Sequence, residues 1–280
     1  MVRNMETMST LEQLLYTTVR VRAIIEEDVE NIGTSFIFNY NVEDKNYLFL
    51  VTNKHVVSNA RVGVLTFIKG EDGKPKLGEA HSVTITNFNE FWIFDREYDV
   101  AIAPLAPVIN YLQENKTMIF LKAIPRTFVP DKTQLKSLDA IEEVVFVGYP
   151  GGFYDERHFL PITRKGITAT PPYIDFNGQK AFLIDASVFP GSSGSPVFLY
   201  NRGGYFDKTK KSFIIGAERL LFLGILSAVY YIPDTGEIIY APLLKKPRVQ
   251  VRQLLDLGIV YKAEIIVRLI EEFLKKRGEI

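Results

Sequence analysis

The chain of 280 residues reads as an all-β protein with a helical C-terminal tail. Short runs rich in Val, Ile, Phe, Tyr and Thr recur through residues 19–243, separated by Gly, Asn and Asp turns, which is the spacing of a barrel or sandwich. Beyond residue 243 the apolar period becomes helical. Hydrophobic residues make up 47% and charged residues 24%, ordinary for a soluble globular chain long enough to bury a core in one or two domains.

The N-terminal segment, residues 1–18, contains a helix start at Ser9, a hydroxyl cap followed by Glu12 and Gln13. A first β unit, 19–105, holds runs at Val19–Ile25, Ser35–Asn41, Tyr47–Thr52, Val62–Ile68 and His81–Asn87. Residues 106–137 are mixed, with a short helix near Ile109–Asn115, and connect the units. The second unit, 138–243, repeats the strand pattern at Glu143–Gly148, Ile162–Ala169, Ala181–Ala186, Pro196–Tyr200, Ser212–Ala217, Leu221–Tyr231 and Ile238–Ala241. In the tail, 244–280, Val249–Leu257 reads as a helix closed by Gly258. Tyr261–Arg277 is a stronger one, with Ile266, Leu269, Ile270, Phe273 and Leu274 on one face. Glu264/Arg268, Glu271/Lys275 and Glu272/Lys276 fall at i,i+4. That apolar face either covers the β units or mediates a homo-oligomer contact; periodicity leaves both open.

Composition narrows the function. A net charge of zero offers no field for nucleic acid or an anionic membrane. The apolar run Leu220–Pro233 is shorter than the roughly 20 residues a membrane helix needs. The first residues have no apolar stretch behind their charge, so a cytoplasmic location is expected. The absence of cysteine removes disulfides, thiolate metal sites and a cysteine nucleophile. The three histidines lie far apart in sequence and no metal motif is present, so neither metal nor cofactor is expected.

The most informative motif is Gly191-Ser192-Ser193-Gly194-Ser195-Pro196. Ser193 alone of its three serines has glycine two positions before and one after, the arrangement that frees backbone N–H groups of Gly191 and Ser193 to hold an oxyanion. Upstream, His55 follows the apolar run Phe49–Thr52, and Asp99 directly precedes Val100–Ala103. Asp95 is a rival aspartate without that aliphatic continuation. The order His, Asp, Ser is one known order of a nucleophilic triad.

With these motifs in place, the chain resembles the trypsin-like serine peptidases, nearest the bacterial HtrA/Deg branch. Thr52–Val57 matches the branch's Thr-Asn-x-His-Val-Val, Asp99-Val100-Ala101 its Asp-aliphatic-Ala, and Asp185–Pro196 its serine loop; Gly148–Gly152 and Lys165–Ala169 are similar as well. The likeness spans about residues 19–243, and no stretch is left for a PDZ domain. The resemblance implies two six-stranded antiparallel β-barrels with His55 and Asp99 on the first and Ser193 on the second. It implies a serine endopeptidase acting on peptide or protein substrates through an acyl-enzyme. Ser187 would lie at the base of the primary specificity pocket, and Val229 would narrow its entrance. Ser227 would begin the substrate-pairing strand and support Asp99. The Gly33-Thr34-Ser35 departure from the family's Gly-[Ser/Thr]-Gly is expected to lie far from the chemistry. Two other readings stay open: a catalytically silent peptide-binding module, and a protease whose role is set by a partner docked on the tail. His158 reads as a solvated loop residue and His81 as structural.

Overall fold

The computed structural model describes residues 8–189, 191–232 and 253–280, with side chains outside 228–255. Helix α1 (Thr10–Leu14) opens with a capping box in which Ser9 and Glu12 satisfy each other's backbone N–H groups. Eight strands follow: β1 (Thr18–Glu26), β2 (Val29–Val42), β3 (Lys45–Thr52), β4 (Val62–Glu71), β5 (Lys74–Thr86), β6 (Ile93–Phe94), β7 (Ala101–Pro104) and β8 (Ile124–Pro125). Between them lie α2 (Lys54–Val57), α3 (Phe88–Phe91) and α4 (Ala106–Glu114), and α5 (Lys132–Ser137) leads into the second unit. There β9 (Glu143–Gly148), β10 (Ile162–Thr168), β11 (Ala181–Asp185), β12 (Pro196–Asn201), β13 (Gly204–Asp207), β14 (Ser212–Ile215), β15 (Arg219–Ile232) and β16 (Gln253–Lys262) precede α6 (Ala263–Lys276).

The second unit is a closed six-stranded barrel, β10-β11-β16-β15-β12-β9, as the resemblance implies. The first is not. Its strands form an open sheet in the order β5-β4-β1-β2-β3-β7-β6, with β8 parallel to β2. At one edge β6 has only two residues, too short to carry a ladder across to β5. Side chains close the core instead: Phe88, Trp92, Leu105, Val108 and Leu112 from α3, α4 and their flanks pack with Val19, Val21, Ile37 and Leu50 of the sheet.

A second correction concerns the tail. Residues 253–257, read from sequence as part of a helix, belong to β16, which pairs with both β11 and β15 and completes the barrel. Gly258 lies within that strand, and a Cβ there would sit 2.8 Å from Leu226 Cδ1 and 3.0 Å from Val188 Cγ2. Close packing between strands, not helix termination, is its role. The barrel therefore draws a strand from beyond residue 243, whereas the Ile238–Ala241 run lies outside the described residues. Of the Ser212–Ala217 run, Ser212–Ile215 form β14, which among the described residues pairs only with β13, off the barrel.

Helix α6 forms where its periodicity places it. Ile266, Leu269, Ile270 and Leu274 are buried, and Phe273 meets Phe49 edge-on at 5.8 Å. They pack with Phe36, Phe38, Phe198 and Phe222 in one core that joins the two β units. Each such side chain contributes about 1.5–3 kcal/mol. The apolar face is thus consumed within the chain. Its expected i,i+4 charge pairs give way to tertiary partners: Arg268 bonds Asp95, Glu271 accepts from Tyr40 and Arg126, and Glu264 pairs with Lys180.

Candidate active site

His55 and Asp99 meet because β3 ends where β7 begins. Thr52 pairs with Ala101 across that ladder, so the residues just after β3 and just before β7 share one end of the sheet. Val56 and Val57 anchor α2 in the core while the His55 ring stays half exposed. Its Nδ1 lies 2.6 Å from Asp99 Oδ2, and its backbone N–H donates to Asp99 Oδ1 at 3.0 Å. Ser227 Oγ donates to the same Oδ2 at 2.7 Å. Burial pushes the Asp99 carboxyl up, but the bonds from His55 and Ser227 outweigh it and hold it below the ordinary carboxylate value. An ionised carboxylate only accepts, so Nδ1 carries the hydrogen, and in the neutral ring Nε2 is then the acceptor.

The Ser193 loop is shaped by two left-handed glycines. Gly191 has φ +86°, and a Cβ there would come within 2.7 Å of Gly151 N. Gly194 has φ +88°, and a Cβ would collide with the carbonyl of Thr34. No other residue type fits either place without strain. Ser192 and Ser195 are buried at 1% exposure each, so Ser193 alone of the three serines reaches the surface. Among the described residues, the N–H groups of Gly191 and Ser193 donate to no protein acceptor. Ser193 Oγ donates to the Ser227 carbonyl at 2.9 Å, and no hydrogen bond joins it to His55. Ser227 thus touches both halves of the site.

The remaining expected residues fall as follows. Ser187 is exposed on the loop before Ser193. Val229 stands opposite Gly258 in the β15–β16 ladder, and its side chain lies outside the described residues. His81 sits in β5 opposite Phe67. His158 pairs with Asp155 at 2.7 Å. No group of His, Asp and Glu able to hold a metal occurs among the described residues.

Sequence reasoning misjudged Thr34, which is not far from the chemistry. Its N–H donates to the Ser193 carbonyl at 3.0 Å, its hydroxyl bonds the Gly191 carbonyl at 3.3 Å, and Tyr149 N–H donates to that hydroxyl at 3.0 Å. The first β unit thereby holds the loop of the second. The departing Gly33-Thr34-Ser35 motif was the available signal. Asp95, the rival aspartate, has another task. Its Oδ1 accepts from the N–H groups of Glu97 and Tyr98 at 2.9 and 2.8 Å, shaping the turn that delivers Asp99. Arg268 of α6 bonds its Oδ2 at 2.6 Å, and Lys54, beside His55, bonds its backbone carbonyl at 2.7 Å. Burial pushes Asp95 up, yet the Tyr98, Glu97 and Arg268 bonds together hold it below the usual carboxylate range. Buried Asn53 donates to the Asp99 carbonyl at 2.7 Å. No sequence spacing announces a bond between Arg268 and Asp95.

Among solved structures, the active form of the Rv3671c protease from M. tuberculosis is 16% identical, with 93% of this chain and 82% of that one covered and a TM-score of 0.48. The serine endoprotease from Yersinia pestis is 15% identical over 96% of this chain and 68% of its own, TM-score 0.48. The scabies mite inactivated protease paralogue S-I1 is 14% identical over 94% and 97%, TM-score 0.48. No curated protein matches. The model of the trypsin-like peptidase domain matches residues 33–204, a span that contains His55, Asp99 and Ser193, and the chain belongs to that family.

Proposed function

We propose that this chain is a serine endopeptidase in which Ser193 is the nucleophile, His55 the general base and Asp99 the residue that orients it. The observation that carries the reading is the 2.6 Å His55–Asp99 contact, reinforced by Ser227, which leaves Nε2 as a base. In the reaction, Ser193 Oγ exchanges the Ser227 carbonyl for His55 Nε2, gives up its proton there and attacks the peptide carbonyl. The N–H groups of Gly191 and Ser193 receive the developing oxyanion, each donor being worth about 3–4 kcal/mol. His55 passes the proton to the leaving amine, and water then clears the acyl-enzyme by the same relay. With uncharged Ser187 at the pocket base by resemblance, small or medium aliphatic residues are expected before the scissile bond. A basic side chain there would cost several kcal/mol. A peptide library cleaved mainly after Arg or Lys would sink that preference.

A second reading, a silent peptide-binding module, draws support from the hydroxyl of Ser193 being bonded to Ser227 and not to His55. A fluorophosphonate probe separates the two. A peptidase is labelled and Ser193→Ala is not; a wild-type protein that resists labelling and cleaves no library peptide is a binder.

A further inference from the structure

We infer that the cleft between β1 and the loop after β9 is a subsite for an acidic side chain of the polypeptide substrate, with Arg20 as its anchor. This rests on the peptidase reading for its substrate class. Alternation along β1 sends Val19, Val21 and Ala23 into the core and Arg20 and Arg22 outward. Both arginines line a cleft of about 140 Å³ walled by Tyr149, Tyr154 and Phe159. Among the described residues no carboxylate lines it, so the cleft holds a local surplus of positive charge.

The two arginines differ. Arg22 is already paired, donating to Glu30 Oε2 through Nε at 3.1 Å and through Nη2 at 2.7 Å. Arg20 makes no ion pair or hydrogen bond among the described residues, and its Nε is buried without a partner. Its guanidinium lies over the Tyr154 ring at 4.9 Å, which fixes the plane but satisfies none of its N–H groups. The charge of Arg20 is left without an anionic partner at the cleft wall, and a carboxylate is the ligand whose two oxygens match a guanidinium edge.

Position connects the cleft to the candidate nucleophile. Arg20 is the cross-strand partner of Thr34, whose N–H holds the Ser193 carbonyl. Tyr149, a wall of the cleft, bonds the Thr34 hydroxyl. An extended peptide advances about 3.3 Å per residue, so one lying over Ser193 reaches the cleft within a few residues.

The test uses paired peptides that differ by one Glu or Gln, placed at each position from two to five residues on either side of the cleaved bond. At one position the wild-type protein should cleave the Glu form with a kcat/KM about tenfold above the Gln form, with the ratio falling as salt rises. In Arg20→Gln that ratio should fall to about one. The ratio is insensitive to a general loss of activity or folded protein. Equal cleavage of both forms at every position, or a preference that survives Arg20→Gln, overturns the subsite. Anisotropy of the same peptides, labelled and bound to Ser193→Ala, separates the two readings. A Glu preference in binding, lost in the Ser193→Ala, Arg20→Gln double variant, upholds the subsite even if no protein cleaves. No preference in binding, with equal cleavage of the Glu and Gln forms, removes it even if cleavage is vigorous.

Discussion

The unit that carries Ser193 closes its ladder into a barrel, whereas the unit that carries His55 and Asp99 leaves its sheet open. In the barrel, backbone bonds set the site: Gly194 N–H donates to the Leu226 carbonyl at 2.8 Å, and Leu226 N–H to the Ser195 carbonyl at 2.9 Å. In the open sheet, the turn holding Asp99 hangs between a two-residue and a four-residue strand. Side chains make up the difference there, with Asp95, Lys54, Asn53 and the distant Arg268 converging on it. One half of the site depends on glycines that allow a close backbone approach. The other depends on polar contacts that reach from α6.

The largest effect should come from the chemistry common to both halves. Ser193→Ala is expected to lower kcat by on the order of 10⁶, and Asp99→Asn by about 10⁴, in a steady-state peptide assay. Asp95→Asn should fall far short of either. A silent Asp99→Asn beside a crippling Asp95→Asn would reverse the assignment of the two aspartates.

Next in size is the helix that braces the open sheet. Ile270 is fully buried in the core shared by both units, so Ile270→Ala should cost about 2–5 kcal/mol in chemical denaturation. An unchanged midpoint would mean that α6 does not contribute to the folded core.

Arg268 tests the reach of that brace into the site. Arg268→Met should lower kcat about tenfold with little change in KM, roughly the loss of one charge-assisted bond, and Arg268→Lys should restore part of it. A rise in KM alone, or no kinetic change, would reduce Arg268 to packing.

The smallest effect is in acid. Asp95 has a folded-state pKa below its unfolded value near 3.9, so the stability it contributes is present above that pH and is lost as pH falls through the folded value. The gap in unfolding free energy between wild type and Asp95→Asn should therefore be widest near pH 7 and shrink below about pH 4. A gap that stays constant to pH 3 would show that the charge on Asp95 is not what holds the turn.

Much of this was legible in the chain. Ser9 and Glu12, the strands from Glu143 to Gly148 and Ala181 to Asp185, and the apolar stripe of α6 are local patterns with one good solution each. The β16 strand was not, because a short apolar run such as Leu254–Val260 satisfies a helix and a buried strand equally. What decided it was the pair of waiting edges on β11 and β15. The openness of the first sheet was also hidden, since whether two edge strands meet depends on lengths and on what α3 and α4 put between them.

The sequence alone determined which residues are candidates for the proposed chemistry, their order and the glycines around Ser193, because a nucleophile, a base and an oxyanion site each require particular residue types among a few adjacent positions. Only the tertiary structure decided the company those residues keep. Thr34 on the Ser193 loop, Ser227 between Asp99 and Ser193, and Arg268 on Asp95 join positions between 34 and 173 residues apart. Such contacts have no spacing rule to announce them. They exist because a shared core and a docked helix bring separate surfaces within the few ångströms over which a hydrogen bond acts.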